Sequence, residues 1–212
     1  MIDPTRLVTG VVLAGGQSRR MGGGDKALQS LAGKPMLAHV IERLAPQVAR
    51  LVLNANGDPE RFTQFGLTVV PDTMAGFQGP LAGLLAGLKW TAAHTPEARW
   101  VLTVSSDAPF LPLDLVQRLV SAADSEQSTV CAESGGKVHP VIGLWPIKLA
   151  DDLEQQLGSG LRRMLDWANR HASVVVDFPP VRFHGRMIDP FFNVNTPEEL
   201  AEAGMLIEGR TR

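Results

Sequence analysis

Short apolar runs alternate with helix-period patterns along this chain, and the first four runs each stop at a glycine, an amide or a carboxylate. Leu7 to Leu13 reads as a buried strand stopping at Ala14-Gly15-Gly16. Arg50 to Ala55 reads as a second strand, with Asn54-Ala55-Asn56 at its end. Leu67 to Val70 is a third, closed by Pro71-Asp72, and Arg99 to Ser105 a fourth, closed by Ser106-Asp107. Between them Pro35 opens a helix with Leu37, Val40, Ile41, Leu44 and Val48 on one face. Pro80 opens another, with Leu81, Leu84, Leu85 and Leu88 at helical spacing, and Pro112 opens the next. This alternation predicts an α/β fold, a three-layer sandwich with a mostly parallel central sheet and helices on both faces. Ligands of such sheets bind outside the carboxyl ends of the strands. The four strand ends are therefore expected on one edge, and their residue types suit a nucleotide and a metal.

The latter half is less regular. Ser128 to Ala132 and Val138 to Trp145 read as two strands joined by a Gly135-Gly136 turn. A helical region spans about Ala150 to Arg170, and Ser173 to Phe178 and Phe191 to Val194 read as strands. Thr196-Pro197-Glu198-Glu199 starts a last helix with a capping pattern. Ile207-Glu208-Gly209-Arg210 reads as the start of a flexible tail, 207–212, beyond a single domain over 1–206.

Composition narrows the ligand. With 20 Lys and Arg against 22 Asp and Glu, the net charge is −2, which leaves no electrostatic footprint for nucleic acid or an anionic membrane. An anionic ligand must be held by a local cluster. No apolar stretch approaches the roughly 20 residues that span a bilayer, and no signal peptide is read. The single cysteine, Cys131, excludes a disulfide framework and suits a reducing cytosol; it reads as a buried strand residue.

The local cluster stands at Leu13 to Lys26. Two glycines directly after a strand let the backbone approach a ligand closely, and successive N–H groups there make an anion-binding nest. Arg19, Arg20 and Lys26 add positive charge, and Gly22 to Gly24 add freedom to fold over a ligand. There is no G-x-x-x-x-G-K-[ST], so this is not a Walker A loop. Gly22 to Ala27 matches G-x-G-x-x-[GA] but begins well after the strand ends, so a dinucleotide site is rejected. Asp107, after a hydrophobic strand and before Ala108-Pro109, is placed to hold Mg²⁺, which takes one or two protein carboxylates plus phosphate oxygens and water. A turn or helix-cap aspartate is the alternative reading, and Asp25 and Asp72 share that ambiguity.

The run Leu13-Ala14-Gly15-Gly16-x-Ser18-x-Arg20-Met21-Gly22-x-x-x-Lys26 resembles the signature of the nucleotidyltransferase superfamily with a Rossmann-like, glycosyltransferase-A-type fold. Further matching segments are Gly79-Pro80-Leu81-Ala82-Gly83, Ser106-Asp107-Ala108-Pro109, His139-Pro140 and Asn193-Val194-Asn195-Thr196-Pro197-Glu198. With these the chain is similar to the bacterial molybdenum cofactor guanylyltransferases over nearly its whole length. The resemblance implies magnesium-dependent transfer of GMP from GTP to the terminal phosphate of molybdopterin, or its molybdenum-loaded form, with release of pyrophosphate. It implies a GTP site of Leu13, Ala14, Gly15, Gly16, Lys26, Asn54, Asp72 and Asp107. Asp107 would be the metal ligand, and Lys26, Asp107 and Arg20 would carry catalysis. The pterin side would be Gly79, Gly83, Asn193 and Asn195, so that the first half binds nucleotide and the second half the acceptor. Cofactor-assembly proteins and molybdoenzyme chaperones are partners by analogy alone. Related cytidylyl and sugar-nucleotide transferases typically read Leu-Ala-Ala-Gly where this chain has Leu-Ala-Gly-Gly. The second glycine removes a methyl group at the base-binding wall and leaves room for a purine. A silent protein that hands cofactor on is a further alternative, against which Lys26 and Asp107 argue.

The proposed nucleophile is a phosphate oxygen, largely ionised at neutral pH because its second pKa lies near about 6. No strong general base is then required, and no persuasive Ser-His-Asp or Cys-His set is read. His139 before a proline in a strand pair reads as structural rather than ligand-binding. Trp90, Trp100, Trp145 and Trp167 read as packing residues.

Overall fold

The first strand decides the layering. In β1 (Val8–Leu13) Val8 and Val12 point into one core layer while Val11 and Leu13 point into the other, as the two-residue period of a strand requires. The structure, a computed structural model, describes residues 4–15, 25–74 and 79–209. After β1 come a small ribbon of β2 (Ser30–Leu31) and β3 (Lys34–Pro35), then α1 (Met36–Leu44), β4 (Arg50–Asn54), β5 (Thr68–Val70) and α2 (Pro80–His94). There follow β6 (Trp100–Ser105), α3 (Leu115–Ala122), β7 (Thr129–Ser134), β8 (Lys137–Pro146), α4 (Ala150–Gly158), α5 (Met164–Ala168) and β9 (Ser173–Asp177). A second ribbon, β10 (Val181–Phe183) and β11 (Arg186–Ile188), precedes α6 (Pro197–Glu208).

Seven strands form one sheet in the order β5-β4-β1-β6-β8-β7-β9. The first four are mutually parallel. β8 runs antiparallel to β6 and β7, and β9 is parallel to β7. Helices α1 and α3 cover one face through Leu37, Val40, Leu44, Leu115, Val116 and Leu119. Helices α2, α4 and α5 cover the other, with Leu84, Leu88, Leu153 and Trp167 among their buried residues. This is the expected three-layer α/β sandwich. Helix α6 and the ribbons close a third, smaller cluster around Phe110 and Val194. No helix among the described residues is long and apolar enough to cross a membrane.

Several boundaries differ from expectation, each for a local reason. Gly135 and Gly136 both adopt positive φ, 56° and 76°, and make the tight β7–β8 turn expected of them. The helix expected from Pro112 begins at Leu115, because side chains of the preceding layer take the Leu111 and Pro112 carbonyls: Arg43 Nε donates to Leu111 O (2.7 Å) and Gln47 Nε2 to Pro112 O (2.9 Å). The Gln47 Oε1 in turn accepts from Val116 N (3.1 Å), capping α3 from outside. Phe191 to Val194 is not a strand; its backbone donors go to Asp189 and Asp107 instead of a ladder. The helical region from Ala150 to Arg170 is two helices, α4 and α5, with no helix over 159–163. Ile207 and Glu208, expected to start a tail, continue α6 to a left-handed Gly209 (φ 67°), held by buried Leu206 and half-buried Ile207, and the rest of the expected tail lies outside the described residues. Trp145 and Trp167 are fully buried with ring centroids 5.6 Å apart, and Trp100 is buried, as packing residues should be.

Helix α2 is buried all round from Leu81 to Leu88, and its last turns reach solvent with Lys89 and His94. Its Gly83 and Gly87, one turn apart, let it lie against β1. A Cβ on Gly87 would stand 2.7 Å from Val11 Cγ2, and one on Gly83 2.8 Å from Leu13 Cδ2. Gly87→Ala is therefore expected to lower unfolding stability by about 1–3 kcal/mol through overpacking. Gly158→Ala in α4, whose Cβ would meet nothing within 4 Å, should leave the denaturation midpoint unchanged or raised. Equal midpoints for the two variants would contradict the close α2–β1 contact.

Candidate active site

Parallel registry brings the strand ends together. Leu13 pairs with Asn54 on one side and Ser105 on the other, and Asn54 pairs with Val70. Beyond the last rungs Ala14 N donates to Asn54 O (2.9 Å) and Ser106 N to Leu13 O (3.2 Å). The four strand ends thus share one edge, as the alternation of elements predicts.

On the β4–β5 side sits a carboxylate held by two amides. Asn54 is 5% exposed, and its Nδ2 donates to Val70 O (3.0 Å) and Asp72 Oδ1 (2.9 Å). Asn56 Nδ2 donates to Asp72 Oδ2 (2.7 Å), while Asp72 N donates back to Asn56 Oδ1 (2.9 Å). Each carboxylate oxygen keeps a further lone pair, so Asp72 is a fixed acceptor for N–H or O–H groups of a ligand. Gly83 belongs to this arrangement as packing. It is buried, and a Cβ there would lie 2.2 Å from Asn54 Oδ1. Gly83, expected on the pterin side, stands where α2 closely approaches Asn54.

On the β6 side sits an ion pair. Lys26 Nζ donates to Asp107 Oδ2, and Ser105 Oγ to Asp107 Oδ1. Both charged side chains are mostly shielded, 13% and 14% exposed. Lys26 Nζ also donates to Asn195 Oδ1 (2.6 Å), so residues from the start, middle and end of the chain meet at one ammonium group. Val194 N donates to Asp107 O (2.9 Å), and Asn195 N to Glu199 Oε2 (2.6 Å). Among the described residues no group of three or more His, Cys, Asp or Glu side chains could hold a metal. A cation on Asp107 would thus depend on one protein carboxylate, with oxygens from a bound phosphate and water. That hard-oxygen donor set fits Mg²⁺.

The other expected residues fall as follows. Gly15 is exposed just after β1, with no atom of the described residues within 4 Å of a notional Cβ. Gly79 is exposed before α2 with φ 134°, a conformation that favours glycine. Asn193 is exposed beside Val194. Gly16, Arg19 and Arg20 lie outside the described residues. Asp25 takes its structural reading: it caps a short turn by accepting from Ala27 N (3.3 Å) and pairs with Arg61 Nε (3.3 Å). Cys131 is buried, and desolvation pushes its thiol up to about 11 against an opposing hydrogen bond with Ser173, so it is no thiolate nucleophile. Sequence reasoning gave no role to Ser105 or Asn56. Their signal is spacing, each standing two residues from a residue singled out: Ser105 before Asp107, and Asn56 after Asn54.

Comparison with known proteins places this edge in a family. The family model described as a MobA-like NTP transferase domain matches residues 10–174, more than half of the chain. A molybdenum cofactor guanylyltransferase of Bradyrhizobium sp. (strain ORS 278) is 53% identical over 204 residues, 95% of this chain and 94% of its own. Among solved structures, molybdopterin-guanine dinucleotide biosynthesis protein A from Archaeoglobus fulgidus superposes with TM-score 0.71 at 22% identity, covering 94% of this chain and 98% of that one. A CMP:2-keto-3-deoxy-manno-octonic acid synthetase complexed with CTP superposes with TM-score 0.69 at 14% identity over 96% and 98% of the two chains. These two likenesses show a shared nucleotidyltransferase fold, and the sequence matches show the family: the chain belongs to the MobA-like NTP transferases.

Proposed function

We propose that this protein is a molybdenum cofactor guanylyltransferase, transferring GMP from GTP to the terminal phosphate of molybdopterin. The observation that carries the reading is the meeting of Lys26, Asp107 and Asn195 at one strand edge beside the Asn54–Asp72 set. Close relatives of that name, matching almost end to end, support it. The fold itself does not select the base, because a CTP-bound synthetase shares it.

In this reading Leu13, Ala14, Gly15, Gly16, Lys26, Asn54, Asp72 and Asp107 bind GTP, with Asp72 accepting from the nucleoside. Asn193 and Asn195 face the acceptor together with Gly79 and Gly83 of the α2 N-terminus, and Arg20 assists Lys26 in offsetting phosphate charge. An acceptor phosphate oxygen forms a bond to the α-phosphorus of GTP. The bond from that phosphorus to the bridging oxygen breaks, and its electron pair leaves with pyrophosphate. Two polyanions must meet, so positioning and charge stabilisation carry the catalysis. Mg²⁺ held by Asp107 supplies charge neutralisation at phosphate oxygens when bound. Lys26 and Asp107 neutralise each other in the free protein. An arriving triphosphate competes for the ammonium group and frees the carboxylate.

Incubation with Mg²⁺ and molybdopterin, in parallel with GTP and CTP, is expected to yield guanine dinucleotide and pyrophosphate from GTP alone. Asp107→Ala should reduce kcat by about 100-fold or more with an unchanged circular-dichroism spectrum. Product from CTP at a comparable rate, or normal turnover by Asp107→Ala, would overturn the assignment.

Gly15 offers a test of base choice, because an added methyl group meets no atom of the described residues within 4 Å. Gly15→Ala should fold normally yet raise the KM for GTP by about tenfold, the order of effect of one misplaced methyl group in a tight pocket. An unchanged KM would show that Gly15 does not border the base.

A further inference from the structure

The acceptor-side asparagines sit in a segment without helix or strand, Asp189 to Asn195. Its position must come from side chains. At its start Asp189 Oδ1 accepts from Phe191 N (2.8 Å) and from Ser134 Oγ (2.7 Å). Ser134 is 3% exposed at the end of β7, and its Oγ also lies 2.9 Å from His139 Nε2. A carboxylate only accepts, so the serine proton goes to Asp189 and the serine lone pair receives Nε2–H from His139. The hydrogen bonds thus run His139 to Ser134 to Asp189, in one direction. Phe191 is wedged between the His139 ring (centroids 5.1 Å apart) and Phe178 (5.2 Å). Three residues on, Val194 N reaches Asp107 O. Asn193 and Asn195 flank that fixed point.

We propose that Ser134, bridging His139 and Asp189, is a positioning residue that sets Asn193 and Asn195 against the acceptor. The proposal rests on the guanylyltransferase reading and adds to it three side chains that touch neither nucleotide nor metal ligand. A polar triad under a hydrophobic wedge is costly unless every member is satisfied; here it joins the β7–β8 hairpin to the segment beside Asp107. The charged groups that act on His139 are Asp189 and Lys137. Burial holds its imidazole below the ordinary 6.5, Asp189 works against that and Lys137 with it. The directed hydrogen bonds require only that Nε2 carries a proton, which the neutral ring favoured by burial meets with its Nε2–H tautomer.

The test is Ser134→Ala in the full chain, with steady-state kinetics and amide hydrogen exchange. The KM for molybdopterin is expected to rise about tenfold, as for loss of a buried hydrogen bond, while the KM for GTP stays within about twofold. Exchange at Phe191 and Val194 should quicken. In an Asn193→Ala/Asn195→Ala background Ser134→Ala should add nothing to the acceptor KM, because the serine acts through those two asparagines. Asp189→Asn, which keeps an acceptor oxygen, should retain most acceptor affinity where Asp189→Ala loses it, and this pair serves if Ser134→Ala fails to fold. Parallel rises in both KM values, additivity with the Asn193→Ala/Asn195→Ala pair, or unchanged exchange would overturn the proposal. Wild-type protein that transfers nothing to molybdopterin would instead overturn the reading beneath it, and the exchange measurement, which needs no acceptor, would still decide whether Ser134 orders the segment.

Discussion

The contact between Lys26 and Asp107 is the interaction on which the site depends. It joins a lysine just after the glycine-rich loop to a carboxylate at the end of the fourth parallel strand. Through Asn195 it reaches the last turn before α6. Shielded from solvent, the two charges must satisfy each other or a ligand. A lone Asp107 would be a weak magnesium site and a lone Lys26 a solvated surface cation. Together they make a site whose charge is balanced in the free protein and, in the proposed function, redistributed when phosphates arrive.

The scaffold serves this contact by stiffness. β1 lies at the centre of the parallel strands and carries both neighbours' ends through its hydrogen bonds. Helix α2 presses on β1 through Gly83 and Gly87, and the same Gly83 leaves room for the amide of Asn54 that orients Asp72. Packing and site geometry are here the same atoms. The second half supplies a different kind of support, with Asp189 and Asp107 taking backbone donors of an irregular segment that no ladder satisfies.

That contrast explains what could be read from the residues alone. The parallel half is legible because each strand ends in a breaker and each helix opens at a proline, so Asn54, Asp72 and Asp107 fall on one edge by topology. Asp25, Cys131 and the buried tryptophans resolve to structural roles for the same reason: local pattern and burial agree. The second half resists because its order comes from side chains distant in sequence. Phe191 to Val194 has strand-like composition, yet no neighbour offers it a ladder. The β10–β11 strands are three residues each, too short for alternation to mark them, and α6 outlasts its expected end because Leu206 and Ile207 find a hydrophobic cluster. Gly83 is marked by the family pattern alone, and only the packing of α2 shows its close approach to Asn54. Ser105 and Asn56 act on other functional side chains, so nothing in composition marks them.

The central claim is that Lys26 and Asp107 hold each other until a nucleotide separates them, and binding of free Mn²⁺ to the nucleotide-free protein tests it directly. Electron paramagnetic resonance should show weak binding to the wild type and binding at least about tenfold tighter to Lys26→Met, where no ammonium group competes for the carboxylate. Adding Asp107→Asn to that variant should abolish the gain. Equal or weaker Mn²⁺ binding by Lys26→Met would contradict the account.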